Sequence, residues 1–138
     1  MDRAALDIAL KLNIPCGGWC PKDRLAEDGV IPARYPLTET ESRKYDKRTK
    51  RNVQDADGTL ILHRGPLDGG TDYTSQVAKR IEKPCLAVDL AEPVERNKII
   101  AWLQEHDVNT LNVAGPRESK CPGIQQQAGM WLRTLFQR

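Results

Sequence analysis

The chain has 138 residues, 39% hydrophobic and 29% charged, with a formal net charge of +2. That suits one domain, spanning 1–138, around a single core, and it gives no electrostatic case for binding nucleic acid or an anionic membrane. No apolar run approaches the roughly 20 residues that cross a bilayer, and the acidic opening Met1-Asp2-Arg3 does not resemble a signal peptide, so no membrane partner and a cytoplasmic location are expected.

In chain order, Ala5, Leu6, Ala9 and Leu12 recur at helical spacing, and Asn13 and Pro15 end that helix. Ile14 to Cys20 is a short apolar run with glycines, a predicted strand. Pro21 to Leu37 is polar and punctuated by proline. A structureless loop of that length is usually functional, and its Lys22, Arg24, Glu27 and Asp28 fit either ligand contacts or a solvated surface with a salt bridge. Thr40 to Ala56 is a predicted helix with a basic outer side. Its other face, Tyr45, Thr49, Asn52, Val53 and Ala56, is largely polar although it should meet the sheet. Buried polar groups need partners, from neighbouring loops or from a ligand, and Arg48 flanks this stripe.

The central stretch is Asp57 to Thr74. Thr59-Leu60-Ile61-Leu62 is a buried strand, Gly65-Pro66 and Gly69-Gly70 break it, and a helix opens at Thr71 and runs to Ile81. Strand, glycine turn and helix N-terminus form a geometry that binds phosphate through unpaired backbone N–H groups; a plain connection that needs two glycines for its turn is the competing account. Thr74 falls on the inner face of the first turn. A strand over Pro84–Leu90, a helix from Pro93, a strand over Val108–Ala114 and a last helix over Ile124–Phe136 follow. The loop Gly115-Pro116-Arg117 is a second strand-to-loop junction of the same type. Trp102 and Trp131 fit core positions.

Strict alternation of helix and strand predicts an α/β fold: a doubly wound, Rossmann-like parallel sheet in three αβα layers. Ligands then bind beyond the strand C-termini, where both glycine loops lie. The four cysteines, Cys16, Cys20, Cys85 and Cys121, form no C-x-x-C pair and fit small buried hydrophobes better than metal ligands. His63 sits inside the central strand and His106 at a helix end, so neither is placed as a catalytic base. The remaining anion donors are the loop amides with Lys22, Arg48, Arg64 and Arg117. That set describes a binding site better than a reaction centre.

The motifs Asp2-Arg3-Ala4-Ala5-Leu6-Asp7, Gly17-Gly18-Trp19-Cys20-Pro21-Lys22, Leu25-Ala26-Glu27-Asp28-Gly29, Tyr35-Pro36-Leu37, Arg48-Thr49, Asn52-Val53, Asp57-Gly58-Thr59-Leu60-Ile61, Gly69-Gly70-Thr71 and Asn112-Val113-Ala114-Gly115-Pro116-Arg117 together carry a resemblance. Over essentially its whole length the chain resembles the molybdenum carrier family, a circularly permuted branch of the SLOG (lysine-decarboxylase-like, Rossmann-type) superfamily.

The resemblance implies a binder of a phosphorylated small molecule, pterin or nucleotide, with the molybdenum cofactor as the family's namesake ligand. That cofactor's metal is held by its own pterin, so no protein-ligated metal is expected. It also implies a homo-oligomer, a dimer or tetramer. The expected ligand-binding set is Gly65, Gly69, Gly70, Thr71, Thr74, Gly115, Pro116, Arg117, Arg48, Asn52 and Lys22, with Asp2 and Arg3.

Two departures matter. Related phosphoribohydrolases carry a glutamate for acid/base work where this chain has Thr74, so no catalytic residue is expected. The family also begins with a strand and a glycine loop ahead of the position of Asp2. With that first strand missing, Ile14–Cys20 should lack its usual partner, and adding such a segment should raise stability and affinity. A carrier, a phosphoribohydrolase and a nucleotide-sensing module remain open.

Overall fold

The structure, a computed structural model, describes residues 1–137, apart from the Asp2 side chain. Among the described residues five α-helices and seven strands follow in order: α1 (Asp2–Lys11), β1 (Trp19–Cys20), β2 (Leu25–Ala26), β3 (Gly29–Val30), β4 (Thr38–Glu39), α2 (Tyr45–Asp55), β5 (Gly58–His63), α3 (Gly69–Arg80), β6 (Cys85–Asp89), α4 (Arg96–Glu105), β7 (Leu111–Ala114) and α5 (Ile124–Phe136).

The main sheet is parallel, in the order β6-β5-β7, with β5 at its centre. Strand β5 is buried on both faces, which is why Thr59-Leu60-Ile61-Leu62 shows a continuous apolar run rather than an alternation. Leu60 and Leu62 pack with Val88, Ile99, Ala128, Leu132 and Leu135 under α4 and α5, and Ala5 and Ile8 of α1 join them. The opposite layer holds Val53, Val77 and Ala78 from α2 and α3, with Cys85 against them. Helices on both sheet faces give the expected three layers.

Several boundaries differ from expectation. Residues 40–44 are not helical, and α2 begins at Tyr45. Helix α3 starts two residues early, at Gly69. Leu132, not Trp131, takes the buried position in α5. Of Ile14–Cys20 only the last two residues form a strand. That strand pairs in parallel with Thr38–Glu39 and not with β7, whose other edge has no strand partner among the described residues.

Pro21–Leu37 is not a structureless loop. A single 3-10 turn (Lys22–Arg24) leads into the β2–β3 hairpin. The Arg24 side chain then donates to the carbonyls of Ile31, Pro32, Tyr35 and Leu37 at 2.8–3.2 Å. The segment is tied to α1 as well, through Arg3–Asp28 and the Tyr35 hydroxyl, which donates to Asp7 at 2.7 Å. Cys16 and Cys20 pack with Leu6, Ile31 and Tyr35 in this small core, and no cysteine is disulfide-bonded.

Asp57 joins β5 to the start of β7: its Oδ2 accepts the N–H groups of Asn109 and Thr110 at 3.0 and 2.8 Å. Those amides, Thr110 first, hold the carboxyl below its ordinary range. A lowered folded-state value means stability that is complete above the ordinary carboxylate range and lost as pH falls through the lowered value. Asp57→Asn should therefore flatten the acid limb of a pH–stability curve followed by circular dichroism.

Candidate functional site

One cavity of about 340 Å³ opens where the C-terminal end of β7 meets the N-terminus of α3 and the first half of α2. Its walls bring together residues distant in sequence: Gly69, Gly70, Thr71 and Thr74 from α3, Gly115, Pro116 and Arg117 after β7, and Arg48 and Asn52 from α2. These are nine of the residues expected from the sequence, and both glycine loops lie on one rim.

The α3 end is built for close approach. Gly69 has φ +48°, in the left-handed region, and Lys120 Nζ lies 3.0 Å from where a Cβ would stand. The amides of Gly69 and Gly70 make no hydrogen bond among the described residues. The Thr71 amide is already used, donating to the Asp68 carbonyl at 3.1 Å, so Thr71 offers its hydroxyl instead. The residue is 7% exposed and lines the cavity, and its hydroxyl has no hydrogen-bond partner among the described residues. Thr74 donates its hydroxyl to the Gly70 carbonyl at 2.8 Å, which braces the first turn of α3. Two amides and a hydroxyl without partners among the described residues, with an ammonium at the positive end of a helix dipole, suit a phosphate-sized anion.

The opposite wall is aromatic and cationic. The Arg117 and Arg48 guanidiniums lie 4.7 and 5.3 Å from the centre of the Tyr45 ring. Tyr45, Lys120, Asp46 and Asp68 also line the cavity, though sequence reasoning did not select them. Tyr45 had a signal, because it opens the polar stripe of α2. Lys120 had none, since its reach depends on the path of the loop after β7.

The other expected site residues lie elsewhere or have other tasks. Arg3 is paired with Asp28 at 2.5 Å, so it anchors the β2–β3 hairpin. Lys22 is in the 3-10 turn, where its amide donates to the Ser42 carbonyl, and is not part of the cavity wall. Gly65 is also off the wall, and its carbonyl accepts from His63 Nδ1 at 2.7 Å. Asp2 belongs to α1, and its side chain lies outside the described residues. Asn52 reaches the cavity, but its amide is used on β1: Oδ1 accepts the Trp19 N–H and Nδ2 donates to the Trp19 carbonyl. Glu118 caps α5 by accepting the Gly123 and Gln125 amides. Among the described residues no three His, Cys, Asp or Glu side chains converge as a metal site, and no helix is long and apolar enough to cross a membrane.

A parallel sheet between two helix layers, with a cavity at its strand C-termini walled by Arg48, Arg117 and Lys120, defines a Rossmann-like α/β domain. The family model described as the circularly permutated YpsA SLOG family matches residues 1–136, and the chain belongs to that family. It is similar to the crystal structure of the "Putative molybdenum carrier protein" from Syntrophus aciditrophicus SB, with a TM-score of 0.93 and 46% identity over 99% of this chain and 88% of that one. No curated protein matches the sequence.

Proposed function

We propose that the protein binds a phosphorylated small molecule in this cavity and serves as a carrier for it; the family resemblance makes the molybdenum cofactor the cargo, in keeping with the molybdenum carrier named for its 46%-identical structural neighbour. The observation that carries this reading is Lys120 Nζ standing over the Gly69–Gly70 turn, whose amides and Thr71 hydroxyl lack partners among the described residues. The donor set fits that cargo. A phosphate matches the amides and the ammonium, and a metal held by the pterin's own sulfurs asks for no protein ligand.

Native mass spectrometry of the protein as purified is the test. A co-purifying phosphorylated pterin supports the carrier. A nucleotide supports a sensor built on the same site. A site that stays empty even when phosphorylated pterins and nucleotides are added would contradict both.

A second reading, a nucleotide phosphoribohydrolase, draws on the two carboxylates of the cavity wall, Asp46 and Asp68. Against it stands Thr74 in place of the glutamate, with its hydroxyl bonded to Gly70. General acid/base help contributes about 10²–10⁴-fold, and a threonine hydroxyl cannot supply it near neutral pH. Incubation with adenosine 5′-monophosphate should release no adenine above the uncatalysed rate; steady release would overturn the carrier reading.

A further inference from the structure

Asp68 stands at the N-cap of α3, where an aspartate ordinarily accepts a hydrogen bond from the second or third helical amide. Here its side chain accepts none from the described residues. The Thr71 and Asp72 amides turn instead to the Asp68 main-chain carbonyl, at 3.1 and 3.2 Å. The uncommitted carboxylate lines the cavity beside the two amides that suit an anion. Asp46, also on the wall, is a second carboxylate, with Oδ1 accepting the Lys47 amide at 3.0 Å. Asn112, on the cavity wall, donates Nδ2 to Thr59 Oγ1 at 3.3 Å and keeps Oδ1 as an acceptor.

A pocket made for a bare oxyanion has no use for these acceptors. Two carboxylates repel a dianion, and a single tetrahedral ion leaves most of about 340 Å³ unfilled. Acceptors beside an anion site match a ligand whose phosphate is joined to a body carrying O–H or N–H donors. The hydroxyl of Thr71, a largely buried residue on the cavity wall, has no partner among the described residues and is a separate sign that the phosphate end is built to meet a ligand.

We infer that Asp68 determines specificity: it accepts a hydrogen bond from an O–H or N–H donor on the organic body of a phosphate monoester, so the site takes organic phosphates and discriminates against inorganic oxyanions. This rests on the phosphate reading above and deepens it.

Isothermal titration calorimetry of the full chain with ribose 5-phosphate, adenosine 5′-monophosphate, inorganic phosphate and molybdate tests it. The organic phosphates should bind at least about ten-fold tighter than either inorganic ion, the range of one hydrogen bond to a charged group. Asp68→Asn keeps a good N-cap residue. It should weaken ribose 5-phosphate about ten-fold and tighten inorganic phosphate, because a negative charge has gone. Asp68→Ser, also a good cap, gives the same comparison if the asparagine variant folds poorly. Inorganic phosphate binding as tightly as ribose 5-phosphate overturns the inference but leaves the anion site standing. So does a variant that weakens both ligands alike. If neither these four probes nor a phosphorylated pterin binds, the phosphate reading falls with it.

Discussion

Gly115→Ala should unfold the protein about 10 °C lower than wild type and abolish ligand binding. A methyl group at Gly115 would overlap the carbonyl oxygen of Leu62 and press within 2.5 Å of Met1 Cε. The methionine can swing away, but the carbonyl belongs to the central strand β5, paired on both sides. The end of β7 must move instead. Overpacking of this kind costs about 1–3 kcal/mol, and about 3 is expected where the obstacle is backbone; in a domain of this size that corresponds to roughly 10 °C. Moving Gly115 also displaces Arg117 and Lys120 from the cavity. Differential scanning calorimetry with a ligand titration would check both halves. A variant as stable as wild type would show that the β5–β7 approach is looser than described.

Arg24→Ala has the second large effect. One guanidinium serves four carbonyls between Ile31 and Leu37, and Asp23 and Arg24 hold φ values of +66° and +53° to place it. Such backbone angles cost energy and persist only where surrounding contacts enforce them. Charge-assisted hydrogen bonds contribute about 1.5–3 kcal/mol in favourable settings, and with water replacing part of the loss the expected destabilisation is about 2–3 kcal/mol. Arg24→Lys should recover less than half, because a compact ammonium cannot span the same carbonyls. Limited proteolysis should cut both variants between residues 25 and 37 before the rest of the chain. The consequence reaches the site, since Glu27 of this segment accepts the Ser119 hydroxyl at 2.5 Å, beside Lys120. Unchanged protease resistance in Arg24→Ala would refute this role.

The layers and most of the cavity were legible because they rest on local signals. The apolar run of β5, the glycines at both loops and the 3.6-residue periods of α2, α3 and α5 depend on nothing distant. The polar stripe Tyr45, Thr49 and Asn52 pointed to a face needing partners: all three line the cavity, and Asn52 meets β1 as well. What the sequence hid was the pairing of distant charges. Arg3 meets Asp28 and Arg43 meets Asp23, 25 and 20 residues apart. Glu27 meets Ser119 across 92 residues. No periodicity encodes such contacts, so Arg3 looked like a ligand contact and Lys120 was not singled out. Pro21–Leu37 looked structureless for the same reason: its order comes from one side chain rather than from a repeating pattern.

The central claim is that the anion sits on the Gly69–Gly70 turn under Lys120. An amide-resolved nuclear magnetic resonance titration of the protein with adenosine 5′-monophosphate tests it most directly. The Gly69 and Gly70 amides should show the largest shifts, residues 115–117 should follow, and the β2–β3 hairpin should stay still, with the whole pattern weakened in Lys120→Ala. Saturable binding that leaves Gly69 and Gly70 unmoved, or that is indifferent to Lys120→Ala, would contradict it.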